Sequence, residues 1–295
     1  MNDQLLFGIA QLGKTRRFVK INGLGNDFVA VDGRQQPFRP DVEMIKWICD
    51  RHRGVGADQL LVIEPARDQA ADAFLRIYNI DGREAETCLN ATRCAAWLLL
   101  GETGAETIAI QTHGGVIHAH GASGNLVSLT MSPPHWDWGE IPLAHPVSGN
   151  ELPMESGPLK GPVPVNLGNP HIVCFVENWD QVDIPRFAPA LQNHPLLPEG
   201  ANVGVAELIA PDCLKLAVWE RPGILTQACG SGACAAALII RRLGMSNETE
   251  FTVLMPGGRL SVKVRPDEST VLTGAVEYSF GGRLPDMINE REELL

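Results

Sequence analysis

The feature that most constrains this chain is a pattern written twice. Residues 218–244 read VWERPGILTQACGSGACAAALIIRRLG, and residues 78–101 read YNIDGREAETCLNATRCAAWLLLG. Each has an apolar strand ending in polar residues, a bend with glycine, a cysteine, a few small or polar residues, a second cysteine and an apolar helix. Cys229 and Cys88 therefore fall where a turn becomes a helix, and the helices are predicted to stop at Gly244 and Gly101. Backbone N–H groups are free at a helix start, and the positive end of the helix dipole lies there. Such a place binds anions and lowers the pKa of a thiol. Residues 95–100 and 235–240 carry no charge, so both helices are expected to be buried. The pattern reads as a degenerate duplication in which two half-molecules each turn one thiol towards a shared ligand.

The rest of the chain repeats around that pattern. Residues 18–32 (FVKINGLGNDFVAVD) read as strand, glycine turn and strand, and residues 165–176 (VNLGNPHIVCFV) open the second half in the same way. Helical spacing follows Pro40 at 41–50, and residues 184–193 read as a short helix. Residues 53–64 read as a glycine turn feeding a strand, and further strands are expected at 73–79 and near 202–208 and 214–220. A meander at 107–111, 115–120 and 126–131 has a counterpart at 251–254, 259–264 and 271–278. Residues 132–164 are rich in Pro and Gly and lack periodicity, which makes them the expected linker. The expected class is α+β with two pseudo-symmetric domains. Residues 1–131 carry Cys88, residues 132–279 carry Cys229, and each has antiparallel-looking strands with one central apolar helix.

Composition removes several classes of function. A chain of 295 residues can build two domains with a substantial core. Its net charge of -11 argues against non-specific nucleic-acid binding, which needs a basic surface. No apolar run reaches the roughly 18 residues of a membrane span. Residues 1–14 lack a basic start followed by a long apolar core, so they read as an extension or extra strand and not as a signal peptide. Seven cysteines, with no secreted-type framework, point to a cytoplasmic protein with reduced thiols. No Cys-x-x-Cys pair is present, and His118 and His120 alternate on a strand, so no metal site is expected.

Two thiols facing one carbon from opposite sides can serve as base and acid. One removes a proton, the other returns one on the opposite face, and a stereocentre inverts without a cofactor. The developing carbanion needs the adjoining carboxylate neutralised. The N–H groups of Leu89, Asn90, Gly230 and Ser231 follow the two cysteines and are positioned for that task. The other cysteines, Cys49, Cys94, Cys174, Cys213 and Cys234, read as small buried hydrophobes.

The motifs ACGSGACA, GLGNDF, NxDGxExxxC, GNPH and MPGGRL…TGAVEYSFGG together span residues 18–282. As an ordered set they resemble the diaminopimelate epimerase family. The resemblance implies two pseudo-symmetric domains, each an antiparallel barrel-like sheet around a central helix. The active site would lie in the cleft between them, and the tail from residue 280 to 295 would pack on the first domain. It further implies cofactor-independent epimerisation of LL-2,6-diaminopimelate to the meso form, in lysine and peptidoglycan precursor synthesis. The partner would be a small amino-acid substrate, and the candidate assembly is a homodimer. Carried over by residue, the catalytic pair falls on Cys88 and Cys229. His171 and Glu220 fall where the family tunes the thiols. Asn26, Gln59, Asn79, Asn169, Asn202 and Arg221 match substrate-binding positions. The chain departs from the usual Cys-Gly-Asn-Gly at Leu89 and Ala91, and from the usual Glu-Arg-Gly…Gly-Glu-Thr at Pro222 and Leu225.

Other readings of the same residues are a racemase for another amino acid on this fold and a non-catalytic ligand-binding homologue. Retention of both cysteines counts against the second. A pyridoxal-phosphate racemase would need a Schiff-base lysine, and none of the few lysines sits in a phosphate-binding context.

Overall fold

The computed structural model describes residues 16–284 apart from Pro222. The expected extension at 1–14 and the end of the tail, 285–295, lie outside the described residues. The first half runs β1 (Arg16–Gly23), β2 (Asn26–Asp32), α1 (Val42–Cys49), β3 (Gln59–Pro65), β4 (Ala73–Asn79), β5 (Glu84–Ala85), α2 (Leu89–Thr103), β6 (Thr107–Thr112), β7 (Gly115–Gly121) and β8 (Leu126–Met131). After a short hairpin, β9 (Glu155–Ser156) and β10 (Leu159–Lys160), comes the second half. It runs β11 (Val163–Asn166), β12 (Pro170–Phe175), α3 (Ile184–Gln192), β13 (Asn202–Ala210), β14 (Cys213–Glu220), β15 (Ile224–Leu225), α4 (Gly230–Arg242), β16 (Glu250–Met255), β17 (Gly258–Val264), β18 (Thr270–Ala275) and β19 (Glu277–Leu284).

Strand pairing repeats step for step. β1–β2, β3–β4, β6–β7 and β7–β8 are antiparallel, as are β11–β12, β13–β14, β16–β17 and β17–β18. Two pairs in each half are parallel: β2–β3 and β4–β6, then β12–β13 and β14–β16. The sheets are thus mixed rather than purely antiparallel. A parallel pair needs a long crossover, usually a helix. The β4–β6 crossover is α2 and the β14–β16 crossover is α4, so the topology itself lays both cysteine helices on the sheet. The halves join where β8 pairs with β18. Each half then sends its next segment across. β19 pairs with β1, and a bridge from His135 to Asn166 follows β8.

One core surrounds α2 and α4 and draws on strands of both halves. Small residues let α4 approach the sheet closely: a Cβ added at Gly232 would come within 2.7 Å of Val218 Cγ2. α4 ends as expected, with Gly244 at φ 65 and its N–H on the Arg241 carbonyl. α2 does not stop at Gly101. It continues to Thr103, and Gly104 takes the left-handed conformation at φ 68. Glycine is tolerated within a helix, and the end comes at the residue that adopts αL. The expected linker is also different. Ile141, Leu143, Leu152, Met154 and Leu159 are buried with α3 and β12–β14 in a second core. That segment packs through scattered apolar residues in irregular backbone, which leaves no period to read. Cys213 is only half-buried, unlike the other cysteines expected to be core residues.

Candidate active site

Cys88 and Cys229 are the N-cap residues of α2 and α4. Both have extended backbones, φ -151 and φ -127, and neither side chain caps its helix. Each sulfur is therefore left at a helix start without a capping duty. The first helical hydrogen bonds run from Thr92 N–H to the Cys88 carbonyl and from Ala233 N–H to the Cys229 carbonyl. The N–H groups of Leu89, Gly230 and Ser231 come before them. The N–H groups of Ala91 and Asn90 favour the charged form of Cys88, and that of Gly232 favours the charged form of Cys229.

The two helix starts meet. A Cβ added at Gly230 would sit 3.1 Å from Leu89 Cβ and 2.8 Å from Leu272 Cδ2. Asn90 Nδ2 donates across the halves to the Ala228 carbonyl at 3.0 Å and lies 3.3 Å from Asn26 Oδ1. The Cys88 thiol also points at Asn26 Oδ1, at 3.8 Å. Asn26 is oriented in turn by Asp58, whose carboxylate accepts from its Nδ2 at 3.0 Å. The β1–β2 turn that presents Asn26 is held by the other half. Leu24 has φ 56, a left-handed conformation that is costly for a residue with a side chain. Its carbonyl would lie only 2.0 Å from a Cβ on Gly257, whose N–H donates to the Gln227 carbonyl. The GLGNDF and MPGGRL segments thus meet through backbone, and Gly257 is required for it.

In the second half His171 is fully buried. Its Nε2 lies 2.9 Å from Ser231 Oγ and 3.2 Å from Asn169 Oδ1, and Ser231 Oγ is 3.6 Å from the Cys229 sulfur. His171 thus reaches Cys229 through Ser231. Asn169 Nδ2 is 3.5 Å from the same hydroxyl. Glu220 accepts from Thr226 Oγ1 at 2.7 Å, and, second to burial, its carboxylate pushes the Cys229 thiol up. Asn202 is buried and accepts from the Arg221 backbone N–H at 3.0 Å. The exposed Arg221 guanidinium donates to the Glu199 carbonyl at 2.9 Å. In the first half Gln59 Nε2 donates to Asn79 Oδ1 at 2.9 Å, while Gln59 Oε1 is buried without a partner.

Matching strand positions exposes a chemical asymmetry. Phe28 lies opposite Gln59, as His171 lies opposite Asn202. Asn79 ends β4 as Glu220 ends β14. The first half surrounds its thiol with neutral groups at positions where the second half has a histidine and a carboxylic acid. Electrostatics correct one expectation from the sequence. Burial pushes the Cys88 thiol up to about 11, and the helix-start N–H groups of Ala91 and Asn90 only partly offset this. Burial and then the Glu220 carboxylate hold Cys229 well above its ordinary value. Burial raises Glu220 as well, and lowers His171 to about 3, so the imidazole is neutral. The helix starts act in the expected direction, but desolvation of the closed site outweighs them. Asp58, Thr226 and Arg93 were not foreseen as site residues. Arg93 had a visible signal, as the one charge inside the α2 run from Cys88 to Leu100.

The chain is similar to known proteins along nearly its whole length. The sequence pattern of the family described as Diaminopimelate epimerase matches residues 18–136 and 163–279. A diaminopimelate epimerase of Phenylobacterium zucineum is 42% identical over 92% of this chain and 98% of its own length. One from Rhodospirillum centenum is 39% identical over 92% and 94%, and one from Caulobacter vibrioides 38% over 93% and 99%. Among solved structures, a predicted epimerase from Pseudomonas aeruginosa superposes with a TM-score of 0.67 at 18% identity, covering 91% of this chain and 99% of that one. A hydroxyproline epimerase from Agrobacterium vitis gives 0.64 at 16% identity, covering 92% and 91%. These two share the fold. With both halves matched and relatives of about 40% identity along nearly the whole chain, this protein belongs to the diaminopimelate epimerase family.

Proposed function

We propose that this chain is an isomerase that converts LL-2,6-diaminopimelate to the meso form, with Cys88 and Cys229 as its acid–base pair. The observation that carries the reading is the pairing of two uncapped cysteines at helix starts that meet across the halves. One thiolate takes the α-proton while the C–H electron pair stays on carbon. The other thiol gives its proton to the opposite face of that carbon, and the two sulfurs exchange charge. The substrate brings an ammonium beside Glu220, which offsets the carboxylate that raises Cys229. The free N–H groups of Leu89, Gly230 and Ser231 neutralise the carboxylate at the reacting centre. His171 holds Ser231 against Cys229 as a neutral imidazole.

The distal amino-acid end is assigned to Asn79, Asn169, Asn202 and Arg221, with Asn26 and Gln59 as further substrate-binding residues. Gln59 Oε1, buried and unpaired, suits an ammonium donor. Arg221 suits a carboxylate, because its planar fork makes two charge-assisted bonds. The reading places the reaction in the cytoplasm, in lysine and peptidoglycan precursor synthesis, with a homodimer as the working assembly. The boundary between halves is taken at residues 131 and 132, with residues 280–284, the described part of the tail, on the first half. The test is turnover of LL-diaminopimelate followed by chiral analysis, beside a panel of other amino acids. Conversion of diaminopimelate supports the reading, and racemisation of a different amino acid alone overturns it.

A further inference from the structure

Two asparagine side chains meet beside Cys88, and each is gripped at its far end by a charged group. Asn26 Nδ2 donates to Asp58 Oδ2 at 3.0 Å, and Asn90 Oδ1 accepts from Arg93 Nη2 at 3.0 Å. Between these grips Asn90 Nδ2 lies 3.3 Å from Asn26 Oδ1 and 3.0 Å from the Ala228 carbonyl. A carboxylate only accepts and a guanidinium only donates, so the two charged ends decide which way both amides face. Asn26 has to turn its oxygen towards the Cys88 sulfur, 3.8 Å away. Both grips are themselves anchored. Arg51 forks Asp27 at 2.8 Å and reaches Asp58 Oδ1 at 2.7 Å. Asp58 accepts the backbone N–H of Asp27 at 3.2 Å, and Asp27 accepts that of Asp58 at 2.9 Å. Arg93 is fully buried, its Nε donates to the Ala275 carbonyl at 3.3 Å, and a Cβ on Gly23 would fall 2.8 Å from its Nη2.

The second half turns the matching amide the other way. Asn169 stands two residues before His171 as Asn26 stands two before Phe28. Its Nδ2 is 3.5 Å from Ser231 Oγ, the hydroxyl beside Cys229, and its Oδ1 is 3.2 Å from His171 Nε2. Asp58 precedes Gln59, and the residue that precedes Asn202 is Ala201, so no carboxylate stands at that position to draw Asn169 Nδ2 away. At Cys88 the oriented oxygen accepts from the neutral thiol and repels the thiolate, and a hydrogen bond to the neutral form disfavours ionisation. This acts in the same direction as burial, which pushes Cys88 up to about 11. Among the other groups facing Cys88, Glu220 on β14 adds to that rise, whereas the N–H groups of Ala91 and Asn90 and the Arg93 guanidinium on α2 oppose it.

We propose that Asp58 is a positioning residue for Cys88: through Asn26 it holds an acceptor against the sulfur and keeps the proton there until substrate enters. Arg93 secures the arrangement from the other end. It fixes the Asn90 amide, and a reversed Asn26 would then set one NH2 group against another. The catalytic meaning of this device rests on the two-thiol reading above.

The test uses the full chain without substrate. Iodoacetamide alkylation of Cys88 and Cys229 is followed by peptide mass mapping at about pH 8, where the rate tracks the thiolate fraction. Asp58→Leu frees the Asn26 amide and should speed Cys88 about fivefold, the worth of one ordinary hydrogen bond, with little change at Cys229. Asp58→Asn can still accept from Asn26 and should react nearly as the natural chain does. Asn26→Leu should speed Cys88 as Asp58→Leu does, and the double variant should go no faster. An unchanged Cys88 rate in folded Asp58→Leu, no rescue by Asp58→Asn, additive effects, or equal acceleration at both cysteines as a loosened site would give, overturns the proposal. Should Asp58→Leu fail to fold, exchanging the two residues decides. Asn26→Asp combined with Asp58→Asn restores the bond and turns a carboxylate to Cys88, which should then react more slowly than in the natural chain. Equal or faster reaction refutes the proposal. None of these readouts needs turnover. A chain that leaves diaminopimelate unchanged yet shows the Asp58-dependent rate would lose the proposed substrate and keep this inference.

Discussion

The meeting of the two helix starts can be tested by adding one methyl group. In Gly230→Ala the new Cβ would lie 2.8 Å from Leu272 Cδ2, 3.1 Å from Leu89 Cβ and 3.4 Å from Leu89 Cδ1. The shortest contact is with the end of a flexible side chain, and Leu272 can rotate away. Leu89 Cβ is fixed to the first residue of α2, so that contact is relieved only if the helix starts part by a few tenths of an ångström. Overpacking of this kind costs about 1–3 kcal/mol, or a fall in Tm of about 2–10 °C for a domain of this size. The shift falls on the residue after Cys229, so turnover should drop more than stability suggests, by roughly tenfold or more. Which second substitution rescues it is the sharper result. Leu89→Ala keeps the fixed Cβ and should not relieve Gly230→Ala, whereas Leu89→Gly removes it and should. A double-mutant cycle between Gly230→Ala and Leu89→Gly should give a coupling of about 1 kcal/mol in thermal unfolding. Additive effects, or equal rescue by Leu89→Ala, would show that the helix starts do not meet as described.

Other predictions separate the roles of neighbouring groups. Cys94→Ala and Cys234→Ala should lower stability by about 1 kcal/mol through small core cavities and leave most turnover; loss of activity with an unchanged Tm would move the chemistry away from Cys88 and Cys229. His171, held near 3 in the fold against 6.5 when free, takes up a proton more readily in the unfolded chain. Its contribution to stability is complete above about pH 6.5 and is lost as pH falls towards 3. His171→Phe, the residue at the matching position 28, should therefore shrink the fall in Tm on acidification, and parallel falls in both proteins would refute a neutral buried imidazole. Lysine, which lacks the distal carboxylate, should be rejected by ~10⁴-fold in kcat/KM, and Arg221→Lys should cut diaminopimelate turnover without changing the Tm. Comparable kcat/KM for the two substrates would favour a general racemase.

Much of the fold can be read from the sequence because its signals are local. A turn followed by Cys and an uncharged helical run marks α2 and α4 wherever they pack, and the repeat of that pattern is enough to suggest the duplication. Strand pairing is not local. Apolar alternation in β4 and β6 is the same whether they pair parallel or antiparallel, so the crossover role of α2 is invisible until the sheet is seen. The segment 132–164 looks like a linker because irregular backbone has no period, although its apolar residues are buried. At the site, the residue types are legible but their surroundings are not. The helix start predicts a lowered thiol pKa, while the burial and the Glu220 carboxylate that reverse it are tertiary. Arg93 shows as a charge in an apolar helix, but that it lies between Gly23 and Gly274 with neutral partners follows only from packing.

The central claim is that Cys88 and Cys229 exchange protons with one carbon from opposite faces. The most direct measurement is turnover of LL-diaminopimelate in deuterium oxide, with chiral separation and mass analysis of the product, for the natural chain and for Cys88→Ala and Cys229→Ala. The account predicts meso-diaminopimelate carrying one solvent deuteron at the inverted centre, and no inversion in either variant. Inversion without deuterium, or undiminished turnover in Cys229→Ala, would contradict it.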